Sequence, residues 1–181
     1  MQLILVRHPQ PQVASGVCYG RTDLAVAPEQ MEQTLAALRD SLPSGLPLYS
    51  SPLRRCAGLA IRLSPVPVYD DRLVEMDFGT WEMQPWDAIP RADIDAWAAD
   101  TVHYQPGGGD SVLRMAERIA AFHSDLQRQL GGGSAIVVCH AGAMRLLSAR
   151  HSGMTPLEMS RHAAQTAHAI PYGSTLVLAA E

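Results

Sequence analysis

Two histidines each end a short apolar run, a placement typical of a site at the edge of a parallel sheet. His8 ends residues 1–8 (MQLILVRH), and His140 ends residues 135–140 (AIVVCH). Such aliphatic, β-branched runs predict strands that are buried on both faces. Ligands of open α/β sheets bind beyond the carboxyl ends of the strands. We therefore expect the two imidazoles to lie together and to serve chemistry rather than packing.

Arginines near these histidines indicate that the chemistry involves an anion. Arg7 directly precedes His8, and Arg54 falls in the first turn of a helix predicted over 51–63. A cation at a helix N-terminus is unfavourable by about 0.3–1 kcal/mol, so Arg54 there predicts a bound anion that completes the site. Phosphate fits, because a guanidinium grips two oxygens at once and free backbone N–H groups add donors.

The elements that must position these residues alternate along the chain. Besides the two apolar runs, strands are predicted at 47–50, 66–69 and 174–178, and helices at 28–42, 51–63, 88–100, 112–130 and 144–150. This order predicts an α/β fold: a three-layer helix–sheet–helix sandwich with a mostly parallel central sheet, in which edge strands are free to run the other way. We expect residues 1–181 to form a single domain.

Composition excludes several classes of function. The net charge of −4 and the lack of a basic run argue against nucleic-acid binding. Three cysteines form neither a closed disulfide framework nor a CxxC motif, which favours a reducing compartment. The apolar run before Arg7 is too short for a signal-peptide core or a membrane span. A cytoplasmic protein without a membrane partner is therefore predicted.

Four segments together resemble the histidine phosphatase superfamily, the phosphoglycerate mutase-like enzymes. They are 5–8 (LVRH), 50–55 (SSPLRR), 73–82 (LVEMDFGTWE) and 137–142 (VVCHAG), and they occur in the order seen in that superfamily. The resemblance runs from residue 3 to about residue 145, and it implies a phosphoglycerate mutase-like fold. Residues 18–23 (CYGRTD) and the short chain are similar to the α-ribazole phosphatase group, which serves cobalamin biosynthesis.

The resemblance implies a role for each of these residues. His8 would attack phosphorus and become a phosphohistidine, while Arg7, Arg54 and His140 would stabilise the charge on the phosphoryl oxygens. The expected phosphate- and substrate-binding residues are Arg7, Arg54, His140, Ala141, Gly142, Tyr19 and Arg21. No metal or cofactor is implied.

A carboxyl group must protonate the leaving alkoxide and then activate water. Glu75 matches the position of the family's acid, and Asp77 and Glu82 lie close enough in sequence to compete for the role. A carboxyl beside bound phosphate is expected to have a raised pKa, because like charge disfavours its ionised form. We read the three tryptophans nearby as packing residues.

Pro9 departs from the family pattern, which usually has glycine after the nucleophilic histidine. Proline offers no N–H to a phosphate, so the pocket is expected to have fewer donors, with activity retained. The predicted function is therefore a phosphomonoesterase acting on a small phosphorylated metabolite, with α-ribazole 5′-phosphate as the leading candidate.

Four alternatives remain open at this stage. Two are enzymes of the same superfamily, a phosphoglycerate mutase and a protein phosphohistidine phosphatase. The third is a catalytically silent module that binds phosphorylated ligands. The fourth is a metallohydrolase that uses both histidines, although no HxH or HExxH spacing occurs.

Overall fold

The computed structural model describes residues 1–165 and 170–179, in which five strands form one sheet with helices on both faces. The strands are β1 (Gln2–Arg7), β2 (Leu48–Ser50), β3 (Val68–Tyr69), β4 (Ser134–Cys139) and β5 (Thr175–Leu178). Their order across the sheet is β3-β2-β4-β1-β5. All pairings are parallel except that of β5 with β1. The mostly parallel sheet and a reversed edge strand are thus confirmed.

Alternation along the central strand β1 explains why helices cover both faces. Leu3 and Leu5 pack into a core on one face, whereas Ile4 and Val6 pack into a core on the other. Successive side chains of a strand point to opposite faces, so a continuously apolar run needs an apolar layer on each side. This arrangement confirms the three-layer sandwich.

The described residues also form six α-helices, which are interspersed with the strands along the chain. They are α1 (Pro28–Arg39), α2 (Arg54–Leu63), α3 (Arg91–Ala99), α4 (Val112–Leu130), α5 (Ala141–His151) and α6 (Pro156–Gln165). Residues of α1 and α2 contribute to the core on one face, and residues of α4, α5 and α6 to the core on the other. The side chain of Ser111 caps α4 by accepting the N–H of Arg114, and the helix ends at Gly131 with φ of 53°.

Several helices differ from the sequence prediction by one to three residues at an end, and one helix was not predicted. Helix α2 begins at Arg54 instead of 51, because Leu53 is extended and serves as its N-cap. Helix α6 was not predicted. Its N-terminus is nevertheless a capping box, in which Glu158 accepts the N–H of Thr155 at 2.8 Å and Thr155 Oγ1 lies 3.4 Å from the Glu158 nitrogen.

Residues 70–111 are mostly irregular and are built from short 3-10 turns around α3. A small core of Cys18, Trp81 and Ile89 anchors this segment, and Phe78 and Trp97 pack against it. The segment lies next to the carboxyl ends of β1 and β4, because it carries Glu75 to the first turn of α5.

Candidate active site

His8 is held as a neutral imidazole with one nitrogen free. The residue is 2% exposed at the end of β1, and its Nδ1 lies 2.7 Å from the carbonyl oxygen of Pro9. A carbonyl only accepts, so Nδ1 carries the proton and Nε2 keeps its lone pair. Burial, followed by the positive charges of Arg55 and Arg7, lowers the pKa of His8 to about 3. This tautomer is the one that a nucleophilic histidine requires.

The carbonyl oxygen of Pro9 accepts the hydrogen bond from the Nδ1 proton of His8. Proline lacks an N–H but keeps its carbonyl, and the contact with His8 uses only that oxygen. The departure from the family's glycine leaves the orientation of His8 intact.

Arg7 lies beside His8 with a donor still available. Its Nη1 donates to the carbonyl of Ile170, and its guanidinium carbon lies 3.8 Å from the centre of the Tyr172 ring. Its Nε is buried and has no hydrogen-bond partner within residues 1–165 and 170–179. A buried, unpaired N–H is costly, and an anion oxygen would satisfy it.

Arg55, and not Arg54, is the second arginine at the histidines. Its side chain is fully buried, and its Nε donates to Nδ1 of His140 at 3.2 Å. Arg54 is exposed on the other side of α2, and only its backbone N–H is engaged, by Asp23. The structure thus brings the side chain of Arg55 to the two histidines and leaves that of the expected Arg54 exposed.

A sequence signal for Arg55 was present. Cys56, Leu59 and Ala60 form the buried face of α2 together with Arg55. Residues four apart share a helix face, which places Arg55 above Leu59 and turns its neighbour outward.

His140 lies next to His8 at the end of β4. The two ring centres are 5.0 Å apart, and His140 Nε2 lies 2.8 Å from Ser51 Oγ. Because Arg55 donates to Nδ1, the proton of the neutral ring is on Nε2. Burial and the charges of His8 and Arg55 hold the pKa of His140 well below its usual value. His140 is therefore a neutral imidazole whose Nε2–H donates to Ser51 Oγ and whose Nδ1 holds the guanidinium of Arg55.

Glu75 is the carboxylate nearest the start of α5. Its Oε2 accepts the backbone N–H of Gly142 at 2.9 Å, and its Oε1 accepts the N–H of Met76. A Cβ on Gly142 would lie 2.3 Å from Oε1, so this approach requires glycine. Ala141 and Gly142 open α5 directly after His140, where free N–H groups favour anions.

The two rival carboxylates are engaged elsewhere. Glu82 accepts the backbone N–H groups of Gly20, Arg21 and Thr22, and also that of Phe78. These bonds lower the pKa of Glu82 against the opposing effect of burial. Asp77 accepts the N–H of Gly79 at 2.8 Å. The carboxylate oxygens of Glu82 are thus occupied by hydrogen bonds to residues 20–22 and to Phe78.

Two tyrosines bridge the mouth of the site. The hydroxyl of Tyr19 lies 2.6 Å from that of Tyr172, and the Tyr172 ring is 5.6 Å from the ring of His8. Arg21, by contrast, is exposed, with its nearest charged partner Asp77 at 4.0 Å. Sequence reasoning missed Tyr172, since no motif surrounds it in the connection to β5.

A cavity of about 510 Å³ opens beside Tyr19, Glu75 and Gly142. Its other walls are mainly apolar, and they include Trp97, which was predicted only to pack. The remaining lining residues are Met76, Phe78, Ile94, Ala98, Thr101, Val112, Met115, Arg145, Leu146, Ala163 and Ala164. This cavity meets the site at Tyr19, Glu75 and Gly142, whereas the two histidines and their arginines are not among its lining residues.

Residues 3–171 match the histidine phosphatase superfamily (branch 1), and the chain belongs to this family. It is 31% identical over 173 residues to the adenosylcobalamin/alpha-ribazole phosphatase of Escherichia coli K12, covering 90% of this chain and 84% of that protein. The protein is accordingly a phosphoric monoester hydrolase.

Solved structures show the same fold. The mycobacterial glucosyl-3-phosphoglycerate phosphatase superposes with a TM-score of 0.74 at 25% identity, over 88% of this chain and 83% of the other. The protein TTHB049 from Thermus thermophilus also has a TM-score of 0.74, at 28% identity over 98% and 93% of the two chains. The phosphoglycerate mutase-like fold is thereby confirmed.

No helix within the described ranges is both long and apolar enough to cross a membrane.

Proposed function

We propose that this protein hydrolyses a small phosphomonoester through a phosphohistidine on His8, with α-ribazole 5′-phosphate as the leading substrate. The observation that carries the proposal is a neutral, buried His8 with a free Nε2, near the charges of Arg7 and Arg55 and in one site with Glu75 and an apolar cavity. The match to alpha-ribazole phosphatases supports the same substrate.

In the first step, Nε2 of His8 attacks phosphorus and the bond from phosphorus to the ester oxygen breaks. Glu75, protonated at this stage, transfers its proton to the departing oxygen, which leaves as an alcohol. Arg7 and Arg55 stabilise the negative oxygens of the transferring group, and His140 orients the Arg55 guanidinium by accepting its Nε–H.

In the second step, water attacks the phosphohistidine. Glu75, now ionised, takes a proton from that water while the bond from Nε2 to phosphorus breaks. Inorganic phosphate leaves, the lone pair returns to His8, and Glu75 is protonated again. The Nδ1 proton stays hydrogen-bonded to the Pro9 carbonyl throughout.

The cavity favours a leaving group that carries an aromatic ring over a leaving group that carries a charge. Among the lining residues that the structure describes, Glu75 and Arg145 are the charged ones. The methylated benzimidazole base of α-ribazole would remove apolar surface from water there, at about 25 cal/mol per Å². The carboxylate of 3-phosphoglycerate would face mostly apolar walls and lose hydration. This contrast favours the nucleotide-like substrate over the mutase alternative.

The test is phosphate release in the presence of a chelator. Wild type, His8→Ala and the exposed-site control His103→Ala are given α-ribazole 5′-phosphate, 3-phosphoglycerate and an aryl phosphate. We expect wild type and His103→Ala to release phosphate fastest from the α-ribazole ester, and His8→Ala to release none. Acid-quenched wild type should carry labelled phosphate on His8.

Each other outcome contradicts a specific part of the proposal. Turnover by His8→Ala would rule out a phosphohistidine intermediate on His8. Loss of wild-type activity in chelator would indicate a metallohydrolase. Faster release from 3-phosphoglycerate would overturn the substrate assignment. Binding without release would indicate the silent module.

A further inference from the structure

Helix α4 carries an arginine that binds the backbone of the segment containing Glu75. Nη1 of Arg118 donates to the carbonyl of Arg72 at 2.7 Å and to that of Val74, and Nη2 donates to the carbonyl of Glu75 at 3.1 Å. Arg118 also lies 3.6 Å from Asp110. One guanidinium thus joins three carbonyls of a single short segment.

That segment has no sheet or α-helix of its own to hold it. Residues 74–78 follow a 3-10 turn and have no regular secondary structure. Carbonyls outside such ladders must find other donors, and a guanidinium offers five N–H groups in a fixed planar fork. The backbone at Glu75 is therefore positioned from outside, by α4.

Glu75 needs accurate placement because its carboxylate must reach the ester oxygen while it stays beside the Gly142 N–H at 2.9 Å. Arg118 itself does not line the apolar cavity; it lies in a separate solvent-filled cleft with Arg21, Asp71 and Glu117. Its side chain is 21% exposed, and burial lowers its pKa without removing its charge at neutral pH. The hydrogen bonds of Arg118 reach the site through the backbone at Glu75, and its charge also interacts with Glu75 and His140 at longer range.

We propose that Arg118 is a positioning residue for the general acid Glu75, acting through the carbonyls of Arg72, Val74 and Glu75. This inference rests on the proposed function, in which Glu75 protonates the leaving group. The fork geometry is the active feature, so lysine, which has the charge but no fork, substitutes for it only in part.

The test compares leaving groups. Arg118→Met, Arg118→Lys and the control Arg114→Met, an exposed arginine one turn earlier on α4, are assayed on an alkyl phosphate and on 4-nitrophenyl phosphate. A good leaving group needs little protonation, so a displaced acid affects the alkyl ester more. We expect Arg118→Met to lower kcat about 10- to 100-fold on the alkyl ester and less than about threefold on the nitrophenyl ester. Arg118→Lys should fall between, and Arg114→Met should match wild type.

A double-mutant cycle separates this role from a general loss of structure. In a Glu75→Gln background, Arg118→Met should lower kcat on the alkyl ester by less than a further factor of about two. The acid that Arg118 positions is already absent there. Equal losses on both esters, or additive losses in the cycle, would overturn the inference. Should Arg118→Met fail to fold, Arg118→Lys is judged by the same two criteria.

The same data distinguish the inference from the proposed function. If Glu75→Gln alone slows both esters equally, the acid assignment is wrong, whatever Arg118 does. If Glu75→Gln is selective for the alkyl ester and the Arg118 variants are not, only the role of Arg118 fails.

Discussion

A one-residue difference between two adjacent arginines decides which of them lies at the two histidines. The pair follows an extended stretch, and α2 begins at Arg54. Arg55 then shares the buried face with Leu59, and its Nη groups donate to the carbonyls of Gly20 and Thr22. It is fixed before any ligand arrives, which lowers the entropic cost of binding an anion.

This placement predicts opposite effects for the two arginines. Arg55→Lys should lower kcat/KM about 100- to 1000-fold, as expected for the loss of a preorganised donor to the transition state. Arg54→Lys should change it less than about threefold, since that side chain is exposed. Steady-state kinetics on one aryl phosphate measures both. A larger loss for Arg54→Lys would restore the assignment made from sequence.

At the scale of elements, close backbone packing holds the irregular segment that carries the acid. The backbone N–H of Asp110 donates to the carbonyl of Asp77 at 2.8 Å. A Cβ added to Gly109 would lie 2.2 Å from that same carbonyl oxygen. Glycine is required at 109 because backbone meets backbone there, and backbone cannot move aside as a flexible side chain can.

We therefore predict that Gly109→Ala lowers the free energy of unfolding by about 1–3 kcal/mol, the usual range for overpacking. The matched control is Gly58→Ala within α2, where the new Cβ would meet only the terminal methyl of Met31 at 3.3 Å. Alanine is favoured over glycine in a helix by about 0.5–1 kcal/mol, so this variant should be neutral or more stable. Urea unfolding measures both, and equal stability of the two variants would show that the loop adapts.

At the scale of the whole molecule, folding buries three of the histidines that the structure describes, and it holds them neutral. Burial lowers the pKa of His8 to about 3 and that of His123 to about 4, and it lowers that of His140 as well. The unfolded chain has ordinary histidines with a pKa near 6.5, so between that pH and the folded values it binds more protons than the native state. Stability must then rise with pH across this window.

The free energy of unfolding should fall by about 1 kcal/mol for each of the three histidines between pH 6.5 and pH 5.5. Urea titrations at pH 7.5, 6.5 and 5.5 measure this change. The variant His123→Gln, on α4 and outside the site, should lose about a third of the pH dependence of the free energy of unfolding. It should retain activity at pH 7.5. A stability that does not change over this range would contradict the neutral, buried state of these residues.

The sequence by itself determined the strands, the layers and the meeting of the two histidines. Apolar runs ending at His8 and His140 are local patterns that place both imidazoles at one sheet edge, whereas Glu75 was expected there only from the family resemblance. The bridge of Tyr172 to Tyr19 lay beyond such patterns, because it joins residues that are 153 positions apart.

Tertiary structure alone decided what fastens the acid and what the leaving group meets. It also set the start of α2 at Arg54, whereas the sequence Ser51-Pro52 favoured an earlier start. Arg118 contacts carbonyls 43 to 46 residues away, and the apolar cavity takes its walls from several separate elements. Local sequence preference determines which helices and strands form. Where they end and how they contact one another is determined by the free energy of the whole packed chain.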